Sequence, residues 1–113
     1  MRKIRLYVLV GAFSLLLTVL VIITSRHPGT GPHSVTLTWH APQALRGITV
    51  VGYNIYRRAA EGTSFIKIAD KVSGAPYEDR LVSSGRKYFY VVTSVDEVGR
   101  ESRFSEEATA DIP

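Results

Sequence analysis

The chain has 113 residues, 45% of them hydrophobic, no cysteine and a formal net charge of +4, which leaves room for one small domain and a short further segment. The charge does not mark a nucleic-acid surface. Arg2, Lys3, Arg5 and Arg26 supply all of the +4 within residues 1–33, and residues 34–113 set 10 basic against 10 acidic residues, so no basic stripe remains for a phosphate backbone. The lack of cysteine excludes a disulfide framework, a thiolate metal site and a lipid-accepting thiol.

In chain order, Arg2, Lys3 and Arg5 lead into an uncharged apolar run over residues 6–23, opening at Leu6 and closing at Ile23. Its 18 residues make roughly 27 Å of helix at about 1.5 Å each, close to the ~30 Å hydrocarbon core of a bilayer. The run is longer than the usual core of a cleaved signal, and no small-x-small cleavage pattern follows it. Residues 1–25 are therefore expected to form a transmembrane signal anchor. The cations before the run set the N-terminus inside the cytoplasm and send the rest outside, as a single-pass protein of the cytoplasmic membrane. A cleaved signal peptide is the alternative. Residues 26–33, with Pro28, Gly29, Gly31 and Pro32, read as a short linker.

From Ser34 the period changes to two. Val35, Leu37 and Trp39 alternate with Ser34, Thr36, Thr38 and His40, which predicts a half-buried strand ended by Pro42. A second strand is expected over 48–57, with Tyr53 and Ile55 inward and Asn54 and Tyr56 outward. A short edge strand follows at 65–69, where Lys67 discourages open pairing, and another at 77–79. Residues 87–95 are almost all aromatic or β-branched and apolar on both faces, which reads as the central strand. Asp96 and Gly99 hold the first and fourth positions of a type I turn, and a last strand is expected over 101–112. Six short strands with turn residues between them predict an all-β sandwich.

These residues resemble a known family. Ser34-Val35-Thr36-Leu37-Thr38-Trp39, Gly52-Tyr53-Asn54-Ile55-Tyr56-Arg57, Tyr88-Phe89-Tyr90-Val91-Val92 and Gly99-Arg100-Glu101-Ser102 together look like a fibronectin type III domain, of the immunoglobulin-like sandwich class, over residues 34–113. The style of the sequence is similar to bacterial exported versions. The resemblance implies that Trp39 is the tryptophan of the second strand and that Tyr88 is the "tyrosine corner", its hydroxyl bonding back toward the preceding turn. The family's first strand has no counterpart in the 34–113 reading: it is missing, very short or formed within residues 24–31. The resemblance implies binding modules or spacers rather than any activity.

Trp39, Tyr53, Ile55, Tyr77, Tyr88, Tyr90 and Val92 are read as core, since aromatics at strand spacing fill a sandwich. Tyr56, Phe89 and Val91 point the other way. With Arg58, and with Arg86 nearby, they are either an apolar stripe covered by arginine stems or a contact face for a partner. His27, His33 and His40 lack the spacing of a metal set and read as solvated. No Gly-x-Ser-x-Gly, paired carboxylates or phosphate-cradling loop occurs, so no catalytic, metal or cofactor residues are expected. Glu101, Glu106 and Glu107 beside Arg100 and Arg103 are read as screened surface pairs. The sequence thus points to a membrane-tethered, non-catalytic interaction module outside the cytoplasm. Its partners are the lipid bilayer, through residues 6–23, and another protein. A secreted module that binds cell-wall or extracellular polysaccharide and a plain structural spacer are the alternatives.

Overall fold

The computed structural model describes residues 4–6, 19–25, 33–41 and 47–113. They form eight strands: β1 (Ile4–Leu6), β2 (Val19–Ser25), β3 (His33–Trp39), β4 (Val50–Ala59), β5 (Ile66–Val72), β6 (Tyr77–Asp79), β7 (Lys87–Asp96) and β8 (Ala108–Asp111). Every paired neighbour runs antiparallel, in two four-stranded sheets ordered β1-β2-β3-β6 and β5-β4-β7-β8. Most of the expected membrane helix (residues 7–18) and nearly all of the expected linker (26–32) lie outside the described residues. Among the described residues, no helix is long and apolar enough to cross a membrane. The sandwich's missing first strand is found upstream of where it was expected, as β2 at Val19–Ser25 rather than within residues 24–31. The reason is compositional: Val19, Val21, Ile22, Ile23 and Thr24 are β-branched and suit a pleated sheet.

The two sheets close on one core. Val35, Leu37 and Trp39 of β3 meet Tyr53 and Ile55 of β4, Tyr88, Tyr90 and Val92 of β7, and Ala108 and Ala110 of β8. Trp39 and Tyr53 bring their rings to 5.3 Å across the gap, and Tyr77 packs against the cluster from β6. The alternation in β3 explains this directly: residues 33, 35, 37 and 39 are buried and 34, 36 and 38 are half-buried. Tyr88 accepts a hydrogen bond from Ser83 N at 3.0 Å, so the tyrosine corner ties β7 back to the incoming turn.

Two features of the edges depart from the simple alternating reading. The pairing of β4 with β5 shifts register on either side of Ile55, and Asn54 is 4% exposed because its side-chain oxygen accepts from Lys71 N at 2.9 Å inside that bulge. Here β5 also passes so close to Gly52 that a Cβ would lie 3.1 Å from the Lys71 Cα. The second feature is the last strand, which does not run from 101 to 112. Glu101 makes one isolated bridge to Val95, and β8 begins only at Ala108.

Candidate functional site

The face of β4 and β7 turned away from the core is the site to which the sequence assigns Tyr56, Arg58, Phe89 and Val91. Register places Asn54 opposite Thr93, Tyr56 opposite Val91 and Arg58 opposite Phe89, so the four residues do come together on one sheet surface. The chain then folds back over them. Two serines arrange this. Ser105 N donates to Val92 O at 2.9 Å while its hydroxyl accepts from Val92 N at 2.8 Å. Ser102 repeats the pattern on Ser94, at 2.9 and 2.8 Å. Each side-chain oxygen takes the place of a backbone carbonyl in the ladder, which frees the peptide between them to bow outward.

The bow carries Phe104 over the Tyr56 ring at 4.9 Å and against Phe65 at 5.6 Å. The Arg58 guanidinium lies 4.4 Å above Phe89 and 5.3 Å from Phe65, with Glu107 at 3.7 Å. Val91 is sealed at 1% exposed: Arg58 lies over the neighbouring Phe89 and Phe104 over Tyr56. Phe104 itself remains 47% exposed. Arg86 is engaged elsewhere, with Glu61 at 2.7 Å.

Beside the rings is a polar hub on Glu101, which is no screened surface charge. Glu101 Oε1 accepts from Asn54 Nδ2 at 2.9 Å, from Thr93 Oγ1 at 2.6 Å and from the Tyr56 hydroxyl. Burial works against the Glu101 charge, but these donors outweigh it and hold the carboxyl below the usual carboxylate range. Burial, and then the adjoining Glu101 carboxylate, push the Tyr56 phenol up to about 12. In the turn above, Asp96 accepts from Val98 N at 3.1 Å, Arg100 N at 2.7 Å and Arg100 Nε at 2.7 Å. Burial opposes its charge as well, and the bonds from Arg100 and Val98 hold it low. Gly99, at φ +84°, completes that turn by donating from its N–H to Asp96 O at 3.1 Å.

The arrangement offers an aromatic shelf with one exposed ring, an arginine and a fixed carboxylate. Among the described residues, no three His, Cys, Asp or Glu side chains gather as a metal site. His33 corrects the expectation of a solvated imidazole: it is 6% exposed, and its Nδ1 has no hydrogen-bond partner among the described residues. Sequence reasoning missed Phe65, Phe104 and Glu101 as parts of this face. The available signal was the Ser-x-x-Ser spacing of 102 and 105 within a supposed strand.

Comparison with known proteins places this architecture. The family described as fibronectin type III domain, SaeA third domain, matches residues 30–113. An amylopullulanase of Thermoanaerobacterium thermosulfurigenes is 39% identical over 90 residues, which is 80% of this chain and 4% of that protein. An amylopullulanase of Thermoanaerobacterium saccharolyticum is 40% identical over 81 residues, 72% of this chain and 6% of that protein. The chain thus spans only 4–6% of the length of these curated relatives. Among solved structures, a Fn3-like protein from Clostridium thermocellum is 34% identical with a TM-score of 0.58, covering 71% of this chain and 77% of that one. The family match, these relatives and the two-sheet architecture agree: the chain belongs to the fibronectin type III domain family.

Proposed function

We propose that this chain is a non-catalytic interaction module, exported and tethered at the outer face of the cytoplasmic membrane by its N-terminal apolar run, and that it meets a partner protein through the aromatic shelf. The observation that carries the reading is Phe104. Its ring is 47% exposed, yet it is fixed in place by Tyr56 at 4.9 Å and Phe65 at 5.6 Å. An apolar ring held rigidly in water costs little further ordering when a partner covers it. Arg58 flanks it, so the shelf combines the residue types that anchor protein interfaces. Tyr56 and Phe65 act mainly as support for Phe104, while Phe89 lies beneath Arg58.

A second reading, contact with polysaccharide, is favoured by the identity of 39–40% to segments of amylopullulanases. Against it, the rings are tilted by 56° and 61° to one another, so they form no flat platform for a sugar chain. The test is photo-crosslinking in cells from a benzophenone amino acid placed at position 104, with position 36 on the opposite sheet as control. A discrete protein adduct from 104 and none from 36 is expected. Equal labelling, or none, sinks the shelf as a protein contact. Sedimentation of the full chain with insoluble starch then separates the second reading from a plain spacer.

A further inference from the structure

We infer that Val19–Ile23 cannot serve the membrane and the sandwich at once, and that completing the fold withdraws this segment from the bilayer. This rests on the proposed reading of the apolar run as lipid-directed. In the structure, β2 pairs with β3 along its whole length, from Val19↔Trp39 to Ser25↔His33. Val19, Val21 and Ile23 thereby stand opposite Trp39, Leu37 and Val35, three buried residues of the core. On its other side β3 has only β6, which pairs with Val35, Thr36 and Leu37 alone. Without β2, most of β3 would be an open edge with its backbone groups unpaired. β2 also lies against β8 of the second sheet, so it closes one side of the sandwich.

The arithmetic of the run makes the two uses exclusive. A span over residues 6–23 has 18 residues, about 27 Å of helix, and just reaches across a hydrocarbon core of about 30 Å. Once β1 takes Leu6 and β2 takes Val19–Ile23, residues 7–18 remain, 12 residues or roughly 18 Å. That is too short to span. Composition supports the same division. Five of the seven β2 residues are β-branched, against three of the twelve in residues 7–18 (Val8, Val10 and Thr18), where Leu9, Leu15, Leu16 and Leu17 favour helix. A chain whose run spans the membrane therefore presents β3 as an unfilled edge, and a chain with a filled edge has no spanning anchor.

The natural absence of cysteine allows a direct test in the full chain. Ile22→Cys with Thr36→Cys is a register pair, and directly opposed antiparallel residues sit about 4.5–5.5 Å apart at Cα, within disulfide reach. Leu20→Cys with Thr38→Cys is a second register pair, in case the first misfits locally. Leu20→Cys with Ser34→Cys is offset by four residues and serves as control. Each double variant is oxidised in membrane vesicles, and each fraction is then extracted with alkaline carbonate. At least tenfold more crosslink in a register pair than in the offset pair, with the crosslinked chains released and the uncrosslinked ones retained, is the expected result. Neither register pair exceeding the offset control overturns the inference and leaves the tether standing. Crosslinked chains that stay integral to the membrane also overturn it. Register-specific crosslinking with every chain released upholds the strand and sinks the tether.

Discussion

Asp79→Ala is the sharpest perturbation the fold offers. Asp79 is 3% exposed and joins the sheets. From β6 its carboxylate accepts from Arg57 Nη1 at 2.8 and 3.0 Å and from the Tyr90 hydroxyl at 2.7 Å, both on the facing sheet, and from Leu81 N at 3.0 Å. Burial works against the Arg57 charge, but Asp79 outweighs it and the guanidinium holds its proton more firmly than usual. Burial first, and then Asp79, push the Tyr90 phenol well up. Removing the carboxylate strands a guanidinium side chain only 22% exposed and a fully buried phenol. Breaking such a pair from one side costs about 3–5 kcal/mol. A domain of roughly 80–90 residues, at about 0.05–0.15 kcal/mol each, holds only about 4–13 kcal/mol. Asp79→Ala therefore removes roughly a fifth or more of the total even at the stable end. Tyr90→Phe leaves the ion pair intact and costs about 1 kcal/mol. Arg57→Met combined with Asp79→Ala costs less than Asp79→Ala alone, because no charge is left stranded. The assay is urea unfolding at pH 7, followed by the fluorescence of Trp39, the single tryptophan, which is 6% exposed. Asp79→Ala within 1 kcal/mol of the parent, or a double variant less stable than the single, would refute the reasoning.

Three further outcomes follow from the same geometry. Ser105→Ala and Ser102→Ala each leave a buried backbone N–H of β7 without its acceptor and are expected to cost about 1–3 kcal/mol by urea unfolding, against under about 0.5 for the exposed Ser83→Ala. Gly52→Ala drives a Cβ against the Lys71 backbone at 3.1–3.2 Å; a loss of about 1–3 kcal/mol is expected, and a neutral result would show that β5 moves freely. Glu101 and Asp96 bind protons more weakly in the fold than in the unfolded chain. Their stabilisation is complete above about pH 5 and is lost as pH falls through about 4 and below, so the thermal midpoint drops there and Glu101→Gln flattens the fall. Tyr56, raised to about 12, loses its share as pH climbs from about 10, and Tyr56→Phe lessens that alkaline loss.

Much of this was legible from residue patterns, for identifiable reasons. Strict alternation marked β3, and the aromatic and β-branched content of 87–95 marked β7, with Trp39, Tyr53, Ile55, Tyr88, Tyr90 and Val92 inside. These signals are local, and burial enforces them. What stayed hidden depends on partners remote in sequence. The Ser-x-x-Ser spacing of 102 and 105 hints at a break in the strand, but that their hydroxyls replace ladder carbonyls emerges only when β7 lies beside them. Glu101 beside Arg100 looks like a surface ion pair, and only the register of β4 and β7 brings Asn54, Tyr56 and Thr93 to it. The burial of Val91 is not local either: Phe65, Phe104 and Arg58 gather on its side of the sheet from remote positions. Val19–Ser25 is ambiguous for a deeper reason. A β-branched apolar segment is compatible with lipid or with a sheet, and periodicity cannot separate them.

The central claim is that the chain closes the outer face of β4 and β7 over itself and offers Phe104 as its point of contact. Phe104→Ser and Val91→Ser, compared in the same full-length background, are followed by thermal unfolding and by recovery of a protein adduct photo-crosslinked from a benzophenone amino acid placed at position 58. Phe104→Ser is expected to abolish the adduct while moving the midpoint by only a few degrees, about 1 kcal/mol for a small domain, whereas Val91→Ser lowers the midpoint far more. An undiminished adduct in Phe104→Ser, or a midpoint lowered as far as in Val91→Ser, would contradict it.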